Sequence, residues 1–62
     1  MITLKAILDG ITWTADIRID GHVEIFRGSE LFDRGQDDGE IIHGAYRTPR
    51  NVLDALLAAE PA

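Results

Sequence analysis

Residues 11–20 read Ile11-Thr12-Trp13-Thr14-Ala15-Asp16-Ile17-Arg18-Ile19-Asp20, an unbroken alternation of apolar and polar side chains. A strand turns successive side chains to opposite faces, so this period of two specifies one dry and one wet surface. Upstream, Ile2, Leu4, Ala6 and Leu8 share one parity, Thr3, Lys5 and Asp9 share the other, and Asp9-Gly10 suits a two-residue type I′ turn. Residues flanking such a turn lie on the same face. Ile2, Leu4, Ala6 and Leu8 therefore join Ile11, Trp13, Ala15, Ile17 and Ile19 on a single apolar surface.

Downstream, a two-residue turn at Asp20-Gly21 would send Glu24 and Phe26 inward. A three-residue connection or a bulge instead sets Val23 and Ile25 against the core and Phe26 outside, and this register is expected because it suits Glu24. Ser29-Glu30-Leu31-Phe32-Asp33-Arg34 reads as one helical turn, capped by Ser29 and stopped by Gly35, followed by an acidic, glycine-bounded loop. Residues 40–47 have the β-branched and aromatic content of a fourth strand, although Gly44 weakens it. Thr48-Pro49 then opens a helix to about Glu60. Thr48 is its cap, Pro49 occupies the first turn, Val52, Leu53, Leu56 and Leu57 form its apolar stripe, and Pro61 blocks extension. The expected fold is α+β: an antiparallel β-meander of three to four strands, one C-terminal α-helix packed on its apolar face, and a single domain over residues 1–62.

A chain of 62 residues has a small core and no room for a cofactor cavity beside it, so no cofactor is expected. There is no cysteine, which removes disulfides, thiolate zinc sites and a thiol nucleophile. Eleven Asp and Glu against six Lys and Arg give a formal charge of −5, which argues against direct nucleic-acid binding through a basic patch. No long apolar run and no signal-peptide pattern is present, so the expectation is an intracellular protein that binds no membrane.

Catalysis is not expected. His22 falls in a turn and His43 in a strand with no nucleophile motif nearby, Ser29 reads as a helix cap, and Asp37-Asp38 has no cavity to desolvate it. A calcium loop beginning at Asp33 would need an acid where Gly35 stands and a glycine where Asp38 stands, so no metal site is expected. The acids themselves are the distinctive feature: Glu30, Asp33, Asp37, Asp38 and Glu40 lie within eleven residues, opposed there only by Arg34. They read either as a solvated loop or, joined by Asp16, Asp20 and Glu24 from the wet sheet face, as a negative surface for a basic partner. Arg50 is expected to pair with Asp54 and Arg47 with loop carboxylates, an anion contact on a partner being the second reading, and Tyr46 reads either as a structural aromatic or as an interface anchor.

The short acidic chain, its Asp9-Gly10 and Asp20-Gly21 meander, the segment Glu30 to Glu40 and the closing helix from Pro49 to Glu60 together resemble small phage-encoded anti-CRISPR proteins directed at type I effectors. The resemblance is one of kind and carries no residue-level motif. It implies a monomeric inhibitor in the cytoplasm of the host bacterium. Its partner would be a basic DNA-binding surface on a Cas effector subunit, blocked by side chains that imitate phosphate charge. An antitoxin or small regulatory subunit is the alternative, and a minor phage structural protein a further one.

Overall fold

The computed structural model describes residues 1–39 and 42–59. Five antiparallel strands lie in sequence order in one curled sheet: β1 (Ile2–Leu8), β2 (Ile11–Ile17), β3 (His22–Arg27), β4 (Glu30–Asp37) and β5 (Ile42–His43). Among the described residues a single helix, α1 (Arg50–Ala58), follows. The architecture is the α+β meander with one helix, carrying five strands where three or four were expected. Among the described residues no helix is long and apolar enough to cross a membrane.

The first hairpin forms as the alternation requires. Leu8 faces Ile11, and Asp9 and Gly10 adopt φ of 51° and 77°, the left-handed pair of a type I′ turn. In the second hairpin, Arg18 N donates to His22 O and Gly21 N donates to Arg18 O, each at 2.9 Å. The connection is thus Ile19-Asp20-Gly21, with Gly21 at φ 89°. This three-residue loop brings Val23 opposite Ile17 and Ile25 opposite Ala15, and both Val23 and Ile25 are fully buried. It also corrects one expected core position. Ile19 lies in the turn, not on the dry face, and is 99% exposed.

The segment after Gly28 is a strand, not a helical turn and loop. Gly28 at φ 62° and Ser29 make a tight connection that sets Glu30 opposite Arg27, and the sheet's ladder of backbone bonds outcompetes local capping by Ser29. A bulge then intervenes: Phe26 faces Leu31 while Ile25 faces Asp33, so Phe32 is the extra residue. Beyond it, Gly35 lies opposite Val23. A Cβ there would stand 2.5 Å from the His43 carbonyl oxygen, so this glycine is what lets β5 and the chain just after it close over β4. Gly35→Ala is expected to cost roughly 1–3 kcal/mol by forcing backbone apart. An unchanged melting temperature in that variant would show that the two segments do not touch.

Of the expected fourth strand at 40–47, β5 is the part seen; Glu40 and Ile41 lie outside the described residues, and Gly44 at φ 83° turns the chain away. The helix begins later than expected, with Pro49 as its N-cap and no side-chain cap bond. Thr48 does not cap it, because its hydroxyl donates to Asp33 instead. The described helix stops at Ala58, and Glu60 lies outside the described residues. Val52 and Leu56 are buried against Leu4, Trp13, Ala15 and Ile17 among others, with Leu53 and Leu57 half-buried beside them. The stripe covers the sheet's apolar face as its spacing predicts.

Candidate protein-binding surface

The register decides which carboxylates face solvent freely. Thr3, Asp16, Glu24 and Arg34 form one cross-sheet row on the wet face. Within it, Asp16 Oδ1 accepts from the Thr3 hydroxyl at 3.1 Å, and Glu24 Oε1 accepts from Arg18 Nη2 at 3.0 Å. Each sheet acid thus has a donor beside it, and the row ends on a cation. Glu30 sits at the β3–β4 turn, at the opposite end of the sheet from the loop that holds Asp20.

Asp33 departs furthest from the expected surface role. The bulge at Phe32 rotates it to the face of Ile25, toward the chain that leads into α1. There its Oδ2 accepts from Arg47 N at 3.0 Å, Thr48 N at 2.9 Å and Thr48 Oγ1 at 2.9 Å, while Oδ1 accepts from Arg34 N at 2.9 Å. A carboxylate filled by four donors is a clamp on the chain and offers little to a partner. The expected ion pair of Arg47 with a loop carboxylate is not found among the described residues: only its backbone N–H donates to Asp33, and its guanidinium lies over the Phe32 ring at 5.1 Å from the centroid. Phe32 in turn meets Trp13 edge-to-face, with centroids 5.1 Å apart. Arg50 does pair with Asp54, at 3.6 Å, and Tyr46 is 94% exposed.

Three of the eight expected acids do converge. Asp20, Asp37 and Asp38 border a shallow depression of about 410 Å³ at the loop end of the sheet, shared with Arg18 and with the apolar Met1, Ile2, Ile17 and Ile19. Its two loops are tied together: Gln36 Nε2 donates to Asp20 O at 2.9 Å, and Asp37 N donates to Gly21 O at 2.8 Å. Gly21 permits this approach, since a Cβ there would fall 2.9 Å from the Asp37 carbonyl oxygen. Asp20 Oδ1 accepts from His22 N at 3.0 Å and Asp37 Oδ1 from Gly39 N at 3.2 Å, bonds that shape the turns. Asp38 Oδ2 lies 2.7 Å from His43 Nε2. Glu40, expected in the same cluster, lies outside the described residues.

Among the described residues no group of three His, Asp or Glu side chains is placed to hold a metal ion. The tie between Asp20 and Gln36 has no sequence signature, because it joins residues sixteen apart that meet only through the β2–β3 and β3–β4 registers. Comparisons with protein-family models, with curated proteins and with solved structures found no match.

Proposed function

We propose that this chain is a binding protein for a cationic macromolecular surface, and that the loop end of its sheet makes the contact. The observation that carries the reading is the shared depression at that end. Asp20, Asp37 and Asp38 stand around exposed Ile19 and Ile2, on loops tied to each other by one backbone bond and by the Gln36 side chain. Rigid loops lose little freedom on binding, apolar side chains supply desolvated contact, and carboxylates select a basic partner and speed its approach.

The specific role we propose is inhibition of a DNA-binding effector assembly of the type I CRISPR kind, by occupying the cationic surface that would otherwise take phosphate. The dispersal of Asp16, Glu24, Glu30 and Asp33 favours a compact plug at one end over a long ladder of phosphate mimics. The test is competition between this protein and target duplex DNA for a purified type I effector. Wild type is expected to displace the duplex, and Asp20→Asn, Asp37→Asn and Asp38→Asn combined is expected to lose most of that effect with the fold intact. Undiminished DNA binding in the presence of excess wild-type protein overturns the inhibitory role. Full inhibition by the triple variant overturns the site.

A further inference from the structure

Strand β1 is the end member of the sheet, paired along Ile2–Leu8 with β2 and with no strand bonded to its other side among the described residues. Its ladder is unbroken over seven residue pairs and contains no bulge and no proline. The two-residue turn makes Leu8 and Ile11 a hydrogen-bonded pair, so the even-numbered residues of β1 bond to β2. The amides and carbonyls of Thr3, Lys5 and Ile7 therefore point to the open edge. Natural sheets guard such an edge or use it. The apolar exposure at the centre of the proposed contact is unusual for a guarded edge, with Ile7 64% exposed.

Lys5 is the only charged residue within β1, and Asp9 follows at its end in the left-handed turn. Neither side chain makes a hydrogen bond or ion pair among the described residues. Read from Ile7, the strand has a cation two residues to one side and an anion two residues to the other. That pattern is complementary to itself when reversed. We infer that the open edge of β1 pairs antiparallel with the same strand of a second copy, about a two-fold axis at Ile7, with Lys5 of each chain set against Asp9 of the other.

In that arrangement Ile7 packs on its own symmetry mate, its outward amide and carbonyl are satisfied, and each lysine finds a carboxylate. A register centred on Lys5, two residues earlier, would instead oppose Lys5 to Lys5, so the same side chain that favours one pairing disfavours its neighbour. At physiological ionic strength the repulsion between two chains of charge −5 is screened beyond about 8 Å, while contacts across adjacent strands are closer than that. The paired stretch Lys5–Asp9 excludes Ile2, the β1 residue that lines the loop-end depression, so the contact is separate from the site proposed to bind a basic partner and one can fail without the other.

The test is analytical ultracentrifugation over a concentration series with amide exchange measured alongside. Wild type is expected to rise from one chain mass to two, with the amides of Lys5 and Ile7, but not that of Thr3, becoming slower to exchange as concentration increases. Lys5→Glu is expected to remain at one chain mass, and Lys5→Glu with Asp9→Lys to regain the dimer. Because Asp9→Lys places a longer side chain on left-handed backbone, the wild-type exchange pattern stands as the second, independent measurement. A wild type that stays monomeric to its solubility limit overturns the inference. So does stronger association on Lys5→Thr, which would identify Lys5 as an edge guard.

Discussion

Leu56→Ala is expected to remove about 2–5 kcal/mol of folding stability, the usual range for emptying a fully buried leucine site. Leu56 is 0% exposed, on the helix face that meets Leu4, Trp13, Ala15 and Ile17 in one cluster. Deleting its isobutyl end loses both the transfer free energy of that group and the contacts of the wall it leaves behind. For a chain of 62 residues the whole margin is only about 3–9 kcal/mol, so the loss approaches all of it. The melting temperature should fall by roughly 8–40 °C, given about 4–8 °C per kcal/mol in domains of this size. Leu57→Ala, on a half-buried flank of the same helix, should fall by markedly less. Equal effects at the two positions would mean that α1 is not seated on the sheet by the face described.

The same cluster shows which parts of the fold were legible beforehand. Strands β1 to β3 and the helix carry their burial pattern in their own residues: the alternation from Ile11 to Ile17, the left-handed Asp9-Gly10, and the spacing of Val52, Leu53, Leu56 and Leu57. Strand β4 does not, for a physical reason. Its inward positions after the bulge are held by Asp33 and Gly35, neither of which reads as apolar, and Phe32 is displaced from the alternation by being the extra residue. Ile19 misled for the opposite reason, since it continues the parity of β2 after the strand has turned. The candidate surface was legible as composition only. Whether a carboxylate is spent inside depends on donors brought alongside by register, as Thr3 is to Asp16 and Arg18 to Glu24, or by a chain fourteen residues on, as Arg47 is to Asp33.

Asp33 separates these two readings of the acids most sharply. If its charge served a partner, Asp33→Asn would weaken binding and leave the melting temperature alone. The clamp predicts the reverse. Asp33→Ala strips the acceptor from Arg47 N, Thr48 N, Thr48 Oγ1 and Arg34 N together, and Thr48 is only 6% exposed, so water replaces the lost partner poorly. Bonds to a charged acceptor contribute about 1.5–3 kcal/mol each but are strongly coupled here, so the total loss should be on the order of 3 kcal/mol. Asp33→Asn keeps one acceptor oxygen and turns an NH2 group toward at least one N–H, so it should fall between wild type and Asp33→Ala. Amide exchange gives the sharper measurement: Arg47 and Thr48 should lose protection in both variants before the β1–β2 hairpin does, because the clamp holds the entry to α1 and not the first strands. Protection lost uniformly along the chain would instead assign Asp33 to the general stability of the sheet. A melting temperature untouched by Asp33→Ala would remove the clamp altogether and return this carboxylate to the surface.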